Sequence, residues 1–161
     1  MVEARLVLSF QPMWPNVRKI RQEVSAGLEP CSQRLRDAAV MTASELVENA
    51  IKYGENVPAA PSVTFSLEAL AQSGLGQLRI RVVNGSTNAA GVAELARRVG
   101  ELSRATDRQA LYLARLEQLL AHPDESGKLG VYRIGFEGGF DLECDYTNSV
   151  VTVTATRNGD V

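Results

Sequence analysis

The feature that most constrains this chain is an unbroken amphipathic run from Ser32 to Gly54. Leu35, Ala39, Thr42, Leu46, Ala50 and Tyr53 recur at steps of three or four residues, the period of one helix face. Ser32 stands where an N-cap oxygen is needed, and Gly54 where a left-handed C-cap residue is expected. A helix of this length needs a second layer on which to bury its stripe. Alternating segments elsewhere supply one. Leu6, Leu8 and Phe10 alternate with Arg5, Val7 and Ser9. Val63-Phe65-Leu67 and Leu78-Ile80-Val82 flank a turn holding Ser73, Gly74 and Gly76. Phe140, Leu142, Cys144 and Tyr146 alternate with Asp141, Glu143 and Asp145, and Val151, Val153 and Ala155 close a hairpin across Asn148-Ser149.

The remaining elements fall between these. Pro12 and Pro15 separate the first strand from a helix that Asn16 caps and that runs to about Leu28. Glu55 to Pro61 and Asn84 to Gly91 read as loops. Residues 92–122 form a helical insert, divided near Thr106, where Thr106 and Gln109 have capping-box spacing. Pro123 ends its second helix, so His122 is a helix-end residue. Ser126-Gly127-Lys128-Leu129-Gly130 then leads into a short helix to Glu137, Gly138-Gly139 turns the chain, and residues after Arg157 are predicted to fray. The order predicts one domain over residues 1–161. Its class is α/β: a two-layer sandwich with a mostly antiparallel sheet and helices on one face.

Composition excludes several functions. With 161 residues, 45% hydrophobic and 22% charged, the chain can form a core without staples. A net charge of -2 argues against an electrostatic nucleic-acid binder. No apolar run approaches the ~20 residues of a membrane span, and Met1-Val2-Glu3-Ala4-Arg5 lacks a signal-peptide layout. The expectation is a cytoplasmic protein with no membrane or nucleic-acid partner. Cys31 and Cys144, far apart and without a CxxC neighbour, read as reduced core residues. His122 is the single histidine, so a multi-histidine metal site is impossible.

The candidate chemistry lies on the long helix. Glu45, Asn49 and Lys52 fall at i, i+4 and i+7 on one face, with Tyr53 beside them. A carboxylate, an amide oxygen, an ammonium and a ring in a row suit a magnesium-bound polyphosphate. The amide oxygen is a hard ligand for magnesium, lysine neutralises phosphate, the ring packs on a base, and the carboxylate can deprotonate an attacking hydroxyl. The bland alternative is a solvated charged face. An asparagine inside a helix is mildly unfavourable, which weighs toward a role for Asn49.

Glu45-Leu46-Val47-Glu48-Asn49-Ala50-Ile51-Lys52-Tyr53-Gly54 resembles the N-box of the GHKL ATPase superfamily, whose Bergerat fold has a similar element order. The resemblance implies that Asn49 is a magnesium ligand, Lys52 a phosphate contact, Tyr53 a neighbour of adenine and Glu45 the base. The short format looks most like the anti-sigma-factor serine kinases of bacterial partner-switching systems, which phosphorylate a small antagonist protein. The other boxes depart from the family pattern. Where the family has Asp-x-Gly-x-Gly, this chain has Asn84-Gly85-Ser86-Thr87-Asn88. An amide accepting from adenine in place of a carboxylate costs on the order of tenfold in affinity, since a neutral bond contributes roughly 1–1.5 kcal/mol less than a charged one. Where the family has Gly-x-Gly-Leu-Gly-Leu, this chain has Gly127-Lys128-Leu129-Gly130-Val131, with a lysine at one glycine position. Leu129 and Gly130 match, and small residues at a helix start admit a phosphate. The helical insert takes the place of the family's ATP lid, and its apolar stripes suit either this domain, a partner or a second copy of the chain.

Three functions are consistent with these residues. The first is an ATP- and magnesium-dependent regulator that phosphorylates or sequesters a regulatory protein, either an antagonist or a sigma-factor-like partner. The second is a non-catalytic interaction module on the same fold with weak or lost nucleotide binding. The third is a histidine-kinase-type catalytic domain acting in trans.

Overall fold

A computed structural model of the chain describes residues 2–72, 75–123 and 129–159. Five strands form one sheet: β1 (Val2–Phe10), β2 (Val63–Gln72), β3 (Leu75–Gly85), β4 (Asp141–Thr147) and β5 (Val150–Gly159). The spatial order is β1-β2-β3-β5-β4, with every neighbouring pair antiparallel. Five helices cover one face: α1 (Pro15–Gly27), α2 (Gln33–Tyr53), α3 (Ala89–Arg104), α4 (Arg108–Ala121) and α5 (Gly130–Phe136). The expected two-layer α/β architecture is what forms.

Register explains why one sheet face is apolar. Leu6 pairs with Leu67, Leu67 with Ile80, Ile80 with Ala155 and Ala155 with Leu142. The next inward row runs Leu8, Phe65, Val82, Val153 and Cys144. Period-two alternation puts these rows on the helix side and leaves Asp141, Glu143 and Asp145 in water. Phe65, Phe140, Leu67, Leu78 and Ile80 are fully buried, each contributing roughly 1.5–3 kcal/mol of burial. Cys31 and Cys144 are both half-buried and pack at the margin of this core.

Helix α2 presses its alanines toward this layer. Ala38, Ala39, Ala43 and Ala50 are buried along with Leu35, Leu46 and Val47, and small residues let the helix approach closely. The Ser32 side chain accepts from the Leu35 amide, as an N-cap should.

Several local expectations need correction. Asn16 does not cap α1. Trp14 occupies the N-cap position without a side-chain bond, and Asn16 Nδ2 instead donates to the Gln11 carbonyl. Gly54 is extended (φ -90°, ψ 156°) rather than left-handed. It is needed for space, because a Cβ there would lie 2.0 Å from the Ala50 carbonyl oxygen. The insert does divide near Thr106, but Asp107 supplies the cap by accepting from the Ala110 amide. Asn84 and Gly85 end β3, α3 begins at Ala89, and β5 continues past Arg157 to Gly159. Ser73 and Gly74 lie outside the described residues.

The β4–β5 turn places Asn148 (φ 53°) and Ser149 (φ 63°) in the left-handed region. Asn tolerates it; serine has no such dispensation, and left-handed backbone costs an ordinary residue roughly 1–2 kcal/mol. Ser149→Gly is therefore expected to stabilise the fold by about 1 kcal/mol, read as a rise in the urea midpoint at unchanged slope.

Candidate functional site

Helix α2 carries the row that the sequence singles out, and the fold divides it. Glu45 points to α5, Asn49 and Tyr53 line the space beneath α3, and Lys52 is exposed. The single binding face predicted for Glu45, Asn49 and Lys52 is thus two separate environments.

The first environment is an interface between α2 and α5. Gly130, the first residue of α5, lies so close that a Cβ there would stand 2.4 Å from Glu45 Oε2. Arg133, one turn further on, reaches Glu45 Oε1 through Nη1 at 3.3 Å and Glu137 Oε2 through Nε at 2.6 Å. Burial raises the Glu45 carboxyl above the usual range, and the neighbouring Glu48 charge pushes the same way. Arg133 and Lys52 oppose them without reversing the sign. Glu45, Glu48 and Arg133 also edge an open groove of about 910 Å3 between α1 and α2, with Arg21, Arg36 and Met41 on its walls. A half-buried carboxyl with raised proton affinity, beside an open groove, can exchange a proton with a hydroxyl presented from that groove.

The second environment brings Asn49, Tyr53 and Asn84 together, so the first and second boxes do meet. Asn49 and Asn84 are both buried. The space they share is about 10 Å3. A single water needs ~10–15 Å3, and ligand pockets run to roughly 300–1,000 Å3. Val92 and Leu95 of α3 fill the rest, facing Val82 and Val153 of the sheet; the two α3 side chains are almost wholly buried. Asn84 does not offer a free amide either, since its Nδ2 donates to the Gly85 carbonyl at 3.0 Å. As arranged, these residues fit a water and not a magnesium-bound nucleotide.

The flanking backbone is tightly tied. Gly85 accepts from the Glu55 amide at 2.8 Å, and a Cβ on Gly85 would fall 2.4 Å from the Glu55 carbonyl oxygen. Fully buried Ser86 donates through Oγ to the Tyr53 carbonyl at 2.7 Å, and Tyr146 donates to the Ser86 carbonyl at 2.7 Å. Ser86 therefore locks the end of α2 to the end of β3. Ser86 stands at a glycine position of the second box, which does not forecast its hydrogen bond to Tyr53, and no motif marks the filling role of Val92 and Leu95. Periodicity flags Leu95 as apolar but does not say against what it packs.

The third box is only partly within view. Leu129 is the N-cap residue of α5 and lines a different cavity, bounded by α3 and α4, and Gly130 meets Glu45. Gly127 and Lys128 lie outside the described residues. Among the described residues, no group of three or more His, Cys, Asp or Glu side chains is placed to hold a metal. No described helix is long and apolar enough to cross a membrane.

Comparison with known proteins gives a fold and no more. No family model matches the chain, and no curated protein matches it. Among solved structures, it is similar to the crystal structure of the RsbU and RsbW domains of Rv1364c from Mycobacterium tuberculosis, with a TM-score of 0.52 and 14% identity. The match covers 95% of this chain and 32% of that one, so the chain spans about a third of the neighbour's length. The likeness covers nearly the whole chain and shows that the two-layer α/β fold is shared.

The raised Glu45 carboxyl has a pH consequence. An acid whose folded affinity for protons exceeds its unfolded one loses stability as pH climbs from the ordinary carboxylate range, about 4.5, to its raised value. Glu45→Gln removes that loss. Relative to the parent, the variant is expected to be more stable at about pH 7 than at about pH 4, by denaturant midpoints at both. A stability difference between the two proteins that does not change with pH would show that Glu45 titrates normally.

Proposed function

We propose that this chain is a regulatory interaction module, built on the GHKL-like fold, that acts by holding a protein partner and does not use nucleotide in its resting arrangement. The observation that carries this reading is the 10 Å3 space at Asn49 and Asn84, closed by Val92 and Leu95. The partner class follows from the resemblance to partner-switching regulators, an antagonist or sigma-factor-like protein. The solved neighbour, which joins RsbU and RsbW domains in one protein, is compatible with it.

Helix α4 is the best candidate for the contact. None of its residues is buried, and Leu113 and Leu120 are 48% and 75% exposed. Its inner side is held to α5 and β4: Arg108 donates to the Gly135 and Phe140 carbonyls and pairs with Asp141, Tyr112 packs at 5.4 Å on Phe136, and Leu111 rests on the core. Its outer leucines are thus available to a protein surface at little cost to the fold.

A second reading is favoured by Glu45. Its raised proton affinity and its edge on the α1–α2 groove suit a base awaiting a serine or threonine hydroxyl. In that reading the chain is a protein kinase of the GHKL type. The three boxes, from Asn49 and Lys52 through Asn84 and Gly85 to Lys128 and Gly130, would take ATP and magnesium only after α3 had left the sheet.

Thermal unfolding separates the two. A ligand present at 100 times its dissociation constant adds about 2.7 kcal/mol of stability. The module reading expects no shift with millimolar Mg-ATP. A shift that Asn49→Ala removes, together with phosphotransfer that Glu45→Ala removes, would establish the kinase instead. The partner contact is checked by co-purification from the source cell: Leu113→Glu with Leu120→Glu is expected to lose the partner while melting within about 0.5 kcal/mol of the parent. Retention of the partner by that double variant would move the contact off α4.

A further inference from the structure

The described residues contain a further, half-open space on the far side of α3. It lies among α3, α4 and the start of α5, and its volume is about 180 Å3. Glu94, Arg97, Arg98, Arg115, Gln118 and Tyr132 carry its polar lining, and it shares no residue with the Asn49 cavity or the α1–α2 groove. Helix α3 therefore has two working sides. Val92 and Leu95 close the sheet end, while Glu94, Arg97 and Arg98 face this pocket.

Among the described residues, its charges do not cancel. Arg97 donates to Glu94 through Nε at 3.0 Å and Nη2 at 2.6 Å, and to Glu101 through Nη1 at 3.3 Å. Arg115 donates to Glu101 through Nε at 2.9 Å, again through Nη2, and to Gln118 through Nη1 at 2.7 Å. Two carboxylates are thereby committed to two guanidiniums. The third, Arg98, is 4% exposed, and its contact is Nε to Glu94 at 3.4 Å, a carboxylate already bonded to Arg97. Among the described residues, no carbonyl or carboxylate is in hydrogen-bond contact with the Nη1 and Nη2 donors of Arg98. Three arginines against two glutamates leave one positive charge on the most buried member. Arg98 thus shares the Glu94 carboxylate with Arg97, and a guanidinium fork with donors to spare matches an oxoanion in two-point geometry. Hydrogen bonding to Arg97 holds the Glu94 carboxyl at about 2, consistent with a strongly positive surround.

We infer that this pocket binds a small oxoanion of the phosphate class, received by the Nη1 and Nη2 donors of Arg98 with Arg97 and Arg115 on either side. The volume is below the roughly 300–1,000 Å3 of drug-sized sites, so the ligand is inorganic phosphate or the phosphate group of a small monoester. The site stands or falls separately from the reading of the Asn49 cavity, with which it shares no residue. A purely structural arginine network gives a different signature. It loses order with any broken bond, whereas an anion site gains affinity when the competing carboxylate is neutralised.

Calorimetric titration of the whole chain with sodium phosphate, against sodium chloride at equal ionic strength, tests the site. O-phosphoserine titrated in parallel distinguishes the monoester from the free ion by whichever binds more tightly. Saturable binding specific to phosphate or phosphoserine is expected. Arg98→Gln should abolish it. Glu94→Gln, at a half-exposed position, should tighten it roughly tenfold, because it removes a like charge a few ångströms from the anion. Absence of saturable heat with both anions, equal heat from chloride, undiminished binding in Arg98→Gln, or weaker binding in Glu94→Gln would each overturn the assignment. If Arg98→Gln does not fold, the sign of the Glu94→Gln change decides alone.

Discussion

The close seating of α2 on the sheet is the contact on which the rest of the molecule depends. Ala38, Ala39, Ala43 and Ala50 bring the helix axis near the strands, and Leu35, Leu46 and Val47 fill what the alanines leave. That approach puts α5 against Glu45 and the end of β3 against Tyr53. Packing density in such a layer is near that of a crystal, so the positions of neighbouring side chains follow from it. The backbone locks reinforce it: Ser86 fastens the strand end to the helix end, and Gly54 leaves room for the Ala50 carbonyl at the point where they meet.

The helices after β3 take opposite parts in this arrangement. Helix α3 is a core element, with Val92, Leu95, Val99 and Leu102 buried, and its first turns occupy the place between α2 and the end of β3. Helix α4 has no fully buried residue; Leu111 packs against the core, and guanidinium and ring contacts, including Arg115 at 5.4 Å over the Tyr132 ring, add to its hold. One stretch of sequence thus supplies both the plug of an inner space and an outward apolar surface. The buried polar pair Asn49 and Asn84 remains beneath the plug, at the margin of a water-sized space where its desolvation is tolerable.

Much of the fold was legible because it is periodic. The alternation through Phe65, Ile80, Leu142 and Val153 named the inward rows, and the three-to-four spacing from Leu35 to Tyr53 named the long helix with its Ser32 cap. Caps and turns were less legible, because they depend on single hydrogen bonds. Asn16 and Thr106 each have cap chemistry, yet Asn16 is drawn to the Gln11 carbonyl and Asp107 outcompetes Thr106. In the candidate site, the meeting of Asn49 with Asn84 was suggested only by the family resemblance of the two segments that carry them. The separation of Glu45 from Asn49 was not. Four residues advance a helix by about 6 Å and 40°, enough to move a side chain from one neighbour to the next.

The sequence alone determined the elements, their order and which face of each is apolar, since these follow from local repeats of two and 3.6 residues. Only the tertiary structure decided what each face meets. It set Val92 and Leu95 over the asparagines, aimed Glu45 at Gly130 and left Arg98 with donors to spare, because those outcomes depend on the approach of segments tens of residues apart and on the exact space that remains between them.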